Sequence, residues 1–210
     1  MGLLLHKTVE EDCRLGIWKI TEAYDKLFNT VFLSETDLIR LQEFKNLNRK
    51  IESLSVRALL QRMTEPHARI IYNASRKPFL ADHSYNISIS HSHKFTSILL
   101  SNSKLVGIDL EYMSHNIERI AHKFINDREV VTFEKDKRKE HLYVHWCAKE
   151  ALYKICDKVD INFQKNLTIK PFEMAQEGDI TGVVRNNLRN EEYRMHYMLA
   201  NNYVIVYCVK

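Results

Sequence analysis

The sequence predicts a mixed chain, α/β or α+β, made of two related halves. Three observations carry this: two long helical patterns, a strand-turn-strand pattern after each, and further strand patterns interspersed with them. In chain order, Leu15 to Ile20 reads as a strand. Asn48 to Met63 reads as a helix, with Ile51, Leu54, Leu59 and Leu60 on an apolar face and Arg49, Lys50, Arg57 and Arg62 on a basic one. Strands follow at Asn86 to Ser90, Thr96 to Ser101 and Leu105 to Glu111. A second helix is expected over Glu140 to Cys156, where Leu142, Trp146, Ala148, Leu152 and Ile155 repeat at helical spacing. The last two strands are Arg194 to Leu199 and Tyr203 to Val209.

The halves are related by more than their order. Tyr85 to Ser101 and Tyr193 to Val209 both read as hairpins, with Tyr85 and Phe95 matched by Tyr193 and Tyr203 at the same spacing of ten. Overlaying Ser55 to Arg62 on Cys147 to Lys154 aligns basic, apolar and basic positions in turn. Ala58 against Glu150 is the telling mismatch, so only the second helix carries a carboxylate there. The break falls near Lys104, giving halves of 1–104 and 105–210.

Composition narrows the function classes. Of 210 residues 45% are apolar and 28% charged, with only 5 Gly and 3 Pro, which excludes long disorder and collagen-like repeats. The longest apolar run, Tyr203 to Val209, is far short of the roughly 20 residues that cross a bilayer. Leu3, Leu4 and Leu5 have no basic region before them, so no signal peptide is expected, and His6 stands where a myristoylation motif after Gly2 wants Ser or Thr. Cys13, Cys147, Cys156 and Cys208 are scattered, which points to reduced thiols and a cytoplasmic protein. The net charge of +4 favours an acidic partner or a polyanionic ligand.

Candidate chemistry begins at Gly107-Ile108-Asp109-Leu110-Glu111. Strand alternation puts Asp109 and Glu111 on one face. Like charges about 4 Å apart repel by roughly 4 kcal/mol at an effective dielectric of 20, so such a pair invites a cation. A hard ion such as Mg²⁺ takes carboxylate, water and phosphate oxygens. A bare Asp-x-Glu is more often a solvated strand end, so a second element is needed. Trp146-Cys147-Ala148-Lys149-Glu150-Ala151-Leu152-Tyr153-Lys154 supplies it: Glu150 and Lys154 share a helix face, as an ordinary exposed ion pair or as a ligand and a phosphate-binding cation. Upstream, Ser90 and His91 end a strand with groups that donate to phosphate oxygens, and Arg76-Lys77-Pro78 adds cations in a loop.

Together, in this order, the segments from about Arg49 to Lys154 resemble the 4'-phosphopantetheinyl transferase superfamily, in its longer, monomeric type that activates carrier proteins of polyketide and non-ribosomal peptide synthesis. The resemblance implies an α+β fold: a pseudo-dimer of two α/β halves, each a long helix on a small antiparallel sheet, with one site at their interface. It implies transfer of the phosphopantetheine arm of coenzyme A to a serine of an apo acyl or peptidyl carrier protein, releasing adenosine 3',5'-bisphosphate. Carried over, Asp109, Glu111 and Glu150 become the Mg²⁺ (or Mn²⁺) ligands, with Glu150 also a candidate base, directly or through water. Lys154 meets the pyrophosphate. Arg49, Lys77, Ser90 and His91 hold the phosphates of coenzyme A, and Glu129 matches an acidic position near the site. Arg76 departs from the pattern where a glycine often stands, as does Asp157-Lys158-Val159-Asp160 where a glycine-containing turn is common. The basic cluster before the first long helix is thin, with Arg40 and Lys45 its candidates.

Three rival readings stand beside this one. His141 and His145 have the spacing of a zinc pair, but Leu142 stands where a zinc protease carries Glu. The basic face of the first helix could meet nucleic acid, yet no binding motif accompanies it and solvated faces of this kind are common. A degenerate member that binds coenzyme A or a carrier without turnover is the third, and Asp109, Glu111, Glu150 and Lys154 weigh against it.

Overall fold

The computed structural model describes residues 2–114, 116–156 and 161–210. They form two compact units, Met1–Lys104 and Leu105–Lys210. In the first, β1 (Leu3–Glu10) and β2 (Cys13–Lys19) precede helices α1 (Tyr24–Thr30), α2 (Glu35–Glu43) and α3 (Leu47–Met63). A short hairpin, β3 (Ile70–Tyr72) with β4 (Pro78–Leu80), leads into β5 (Asn86–Ser92) and β6 (Phe95–Ser101). The main sheet is antiparallel in the order β1-β2-β6-β5.

The second unit opens with β7 (Val106–Tyr112) and a 3-10 turn (Ile117–Lys123). Helix α4 (Lys135–Ile155), the four-residue α5 (Phe163–Asn166), β8 (Leu167–Ile169), β9 (Glu177–Arg185), β10 (Asn190–Ala200) and β11 (Tyr203–Val209) follow. Its antiparallel sheet runs β7-β11-β10-β9-β8. The β10–β11 hairpin turns through Asn201 and Asn202, both at positive φ, the geometry that two-residue hairpins need and that Asn tolerates. This is the α+β class, with a long helix on a small antiparallel sheet in each half.

The likeness of the halves extends to atoms. In each, a hairpin follows the long helix, and its second strand pairs with the strand that opens the motif: β6 with β2, and β11 with β7. That opening strand meets the helix through a glycine. A Cβ at Gly16 would lie 2.2 Å from Met63 Sδ and 2.9 Å from Leu59 Cδ1; one at Gly107 would lie 2.3 Å from the Ala151 carbonyl and 3.1 Å from Ile155 Cβ. Leu59 and Met63 are the residues that the overlay of the two helices places on Ala151 and Ile155. The absence of a side chain lets strand and helix backbones close together, most tightly in the second unit.

Each unit has its own core. Leu54, Leu59, Leu60 and Met63 of α3 pack with Trp18, Ile98 and Leu100. Leu142, Cys147, Ala151, Leu152 and Ile155 of α4 pack with Val204, Val206 and Cys208 of β11 and with Met195 and Tyr197 of β10. The expected basic face of α3 is corrected at one position. Arg57 is buried, and its Nε donates to Asp37 Oδ1 at 2.7 Å while Nη1 donates to Ser53 Oγ at 2.8 Å. Asp37 also closes the capping box of Ser34 at the start of α2, so Arg57 ties α2 to α3. Among the described residues, no helix is long and apolar enough to cross a membrane.

Candidate active site

In β7, Asp109 pairs with Val206 and Glu111 with Val204, and both valines belong to the core that α4 covers. Residues opposite each other in register share a face, so both carboxylates point toward α4. Asp109 is buried, and Lys154 Nζ donates to its Oδ1 at 2.7 Å and to the Ile108 carbonyl at 2.9 Å. The thiol of Cys147, wholly buried on α4, senses the same groups. Burial pushes it well above its ordinary value; the charges of Asp109 and Glu111 push it further, and Lys154 opposes them. Asp109 and Glu111 thus share one face of β7, and Lys154 of α4 reaches across to bond the first of them. Glu150 lies one turn beyond Cys147 and one turn before Lys154, half-buried.

The donor set suits a hard cation in an open site. Among the described residues no three His, Cys, Asp or Glu side chains are placed together so as to hold a metal ion, so Asp109, Glu111 and Glu150 are not brought together as a three-ligand set. Mg²⁺ needs no such set, because it keeps water and phosphate oxygens and takes one or two carboxylates. Two neighbouring carboxylates on β7 provide that much, with Glu150 on the adjoining helix.

One residue before Glu150, the structure shows a pair that the sequence left unpaired. Lys149 and Glu129 are both wholly buried, and Nζ lies 2.7 Å from Oε2. Lys149 also donates to the carbonyls of Phe124 and Phe163, the latter at 3.2 Å. Glu129 accepts from the backbone N–H of Asn126 and of Ile169, each at 2.8 Å. The pair joins the segment after the 3-10 turn, the start of α5 and the end of β8 to α4. Burial pulls the Lys149 ammonium below its ordinary value and Glu129 draws it back.

His141 and His145 lie one turn apart on α4, and among the described residues no third His, Cys, Asp or Glu is placed to complete a metal site with them. Thr132 N–H donates to His141 Nδ1 at 3.1 Å, which leaves the His141 proton on Nε2. His145 Nδ1 lies 2.9 Å from the His141 carbonyl and so carries its own proton. Both rings pack against Phe172, and both are pushed down to about 4, chiefly by burial.

The phosphate-binding candidates all lie in the first unit. Arg49, at the start of α3, is exposed and pairs with Glu52 at 3.0 Å, and His91 Nδ1 approaches the same Glu52 oxygen at 3.5 Å. Glu52 thus brings Arg49 and His91 together, a link that the sequence reading missed. Ser90 is buried beside His91 in β5, and its carbonyl accepts from Ser97 Oγ. Lys77 sits in the β3–β4 turn, its N–H donating to Asn73 Oδ1 at 2.8 Å and its ammonium 5.9 Å from the Phe79 ring centroid. Arg76 has φ of 60°, the left-handed conformation that glycine adopts freely, so the loop keeps a glycine-type path with an arginine in it. Arg40 stacks on Tyr72 with its guanidinium carbon 3.6 Å from the ring centroid. The departure noted at residues 157–160 lies outside the described residues.

The family model of the 4'-phosphopantetheinyl transferase superfamily matches residues 105–208, the whole span of β7, α4 and the sheet behind them. This half of the chain belongs to that superfamily. Phosphopantetheinyl transferases use coenzyme A, act on carrier proteins and are generally Mg²⁺-dependent, and the matched half is the one that holds Asp109, Glu111, Glu150 and Lys154. Comparison with curated proteins gave no match.

Proposed function

We propose that the chain is a holo-carrier-protein synthase, transferring the 4'-phosphopantetheine group of coenzyme A to a serine of an apo acyl or peptidyl carrier protein. The observation that carries this reading is the shared face of Asp109 and Glu111 toward α4, with Lys154 of that helix bonded to Asp109 at 2.7 Å. Asp109, Glu111 and Glu150 would hold Mg²⁺ or Mn²⁺, which when bound offsets the charge of the pyrophosphate. Glu150 takes the serine proton as its oxygen bonds to phosphorus. Lys154 steadies the phosphate that leaves on adenosine 3',5'-bisphosphate. Phosphoryl transfer depends mainly on positioning and charge neutralisation, and these residue types supply both. Arg49, Lys77, Ser90 and His91 are assigned to the phosphates of coenzyme A, in a division of labour between halves 1–104 and 105–210.

The test is incubation with coenzyme A, Mg²⁺ and apo carrier proteins, read by intact mass of the carrier. The expected result is a gain of one phosphopantetheine, lost with chelator and in Asp109→Ala, Glu111→Ala and Glu150→Ala. Full activity in any of these variants removes that residue from the mechanism. Binding of coenzyme A with no mass gain on any carrier turns the reading to a binding module of the same fold.

A further inference from the structure

Glu52 is the residue on which two of the phosphate-binding candidates converge. Its place is fixed by a buried contact between α3 and the sheet. Ser55 Oγ and Thr96 Oγ1 lie 2.7 Å apart, both residues wholly buried, and Ser55 Oγ also donates to the Glu52 carbonyl at 2.7 Å, so Thr96 supplies the hydrogen of the first bond. Thr96 stands opposite His91 in the β5–β6 register, and opposed residues share a face. His91 therefore comes under α3 one turn before Ser55, where Glu52 projects. The outcome is one carboxylate oxygen, Glu52 Oε2, with two nitrogens on it: Arg49 Nη1 at 3.0 Å from its own helix and His91 Nδ1 at 3.5 Å from β5.

The Glu52 side chain is 17% exposed, against 59% for Arg49 and 34% for His91. The carboxylate thus lies beneath its partners, and a phosphate reaching them from solvent approaches the same oxygen. Carboxylate and phosphate oxygens make the same charge-assisted bonds with a guanidinium or an imidazolium, and at such range they repel each other. We propose that Glu52 competes with a phosphate of coenzyme A for the donors of Arg49 and His91, and so holds the affinity for coenzyme A below what these cations alone would give. The proposal rests on the assignment of Arg49 and His91 to those phosphates made above. It gives Glu52 a role opposite to that of a supporting residue. A group that merely held Arg49 and His91 in place would strengthen binding, and its loss would weaken it, so the sign of the effect separates the two.

The experiment is isothermal titration calorimetry of the full chain with coenzyme A, with Mg²⁺ and without carrier protein. It is run at about pH 6, below the usual imidazole value near 6.5, so that an imidazole is mostly protonated with or without a neighbouring carboxylate. Glu52→Gln keeps the shape and removes the charge, and it should tighten binding about 3- to 10-fold, a modest gain because solvent screens the site. Glu65→Gln removes the same charge beyond the far end of α3, roughly 20 Å along the helix axis and well past a Debye length of about 8 Å, and should stay within about 1.5-fold of the parent. Unchanged or weaker binding in Glu52→Gln, or an equal gain in Glu65→Gln, overturns the proposal. Should Glu52→Gln fail to fold, Glu52→Ala carries the same expectation and the same refutation. Arg49→Ala and His91→Ala test the assignment beneath it: unchanged binding in both moves the phosphates elsewhere and takes the proposal with it. Weaker binding in either, with no gain in Glu52→Gln, sinks the competition alone and leaves the assignment standing.

Discussion

Replacing Lys149 by Met should be the most damaging single change in the second unit that leaves the carboxylates of β7 in place. Lys149 and Glu129 are both wholly buried and bonded at 2.7 Å, so removing the ammonium strands a carboxylate in the core with only two backbone donors. Breaking a buried pair by deleting one partner costs about 3 to 5 kcal/mol. The carbonyls of Phe124 and Phe163 lose a donor as well. For a domain of about 100 residues, 4 kcal/mol lowers Tm by roughly 15 °C or more. Glu129→Gln added to Lys149→Met removes the stranded charge and keeps an acceptor for one backbone N–H, so the double variant should recover at least half of the loss. Trp146 reports the transition well, since it packs against Phe124 at 5.3 Å and Phe163 at 5.6 Å between centroids. Urea melts followed by its fluorescence, in a Trp18→Phe background that silences the other tryptophan, give the energies. A loss under about 1 kcal/mol for Lys149→Met, or a double variant no more stable than it, would refute the reasoning.

Acid should weaken the second unit through His141 and His145. Both are held near 4 in the fold against about 6.5 in an unfolded chain, so the unfolded chain binds more protons between those values and stability falls as pH drops from about 6.5 to about 4. Each imidazole accounts for roughly 3 kcal/mol at the end of that window. Urea midpoints across the window should flatten in the His141→Gln, His145→Gln double variant, and parallel curves would assign the acid loss elsewhere. The glycines make a paired test. Gly107→Ala drives a Cβ into the Ala151 carbonyl and should cost about 1 to 3 kcal/mol and lower transfer, whereas Gly16→Ala meets the flexible ends of Met63 and Leu59 and should cost less. Thermal melts showing equal costs would mean that β7 and α4 separate as easily as β2 and α3.

Strand parity made the candidate site legible: Asp109 and Glu111 had to share a face, and the buried valines opposite them show which face it is. Helical spacing likewise gave α3 nearly to its ends. The start of α4 was hidden because Lys135 to Lys139 carry Asp136 and four cations with no apolar repeat, so the helix begins five residues before the expected Glu140. β1 was missed because it is an edge strand whose leucines stay partly in solvent, with Leu4 at 59% exposure. In β9, Gly178 and Gly182 interrupt the alternation that Ile180 and Val184 would otherwise announce. Arg57 and Lys149 were opaque for a different reason. Each finds its carboxylate 20 residues away in sequence, through packing that no local pattern encodes.

The paired glycines place Asp109 on the spot that Trp18 fills in the first unit, two residues beyond the glycine in each strand. One copy of the motif uses that place for a large apolar ring at 4% exposure, the other for a charge at 4% exposure. The second unit is therefore held below the stability its own architecture could reach, because a buried carboxylate contributes less to a core than a well-packed ring. Selection for thermal tolerance alone, with transfer no longer required, should drift Asp109 toward apolar residues while leaving Trp18 untouched.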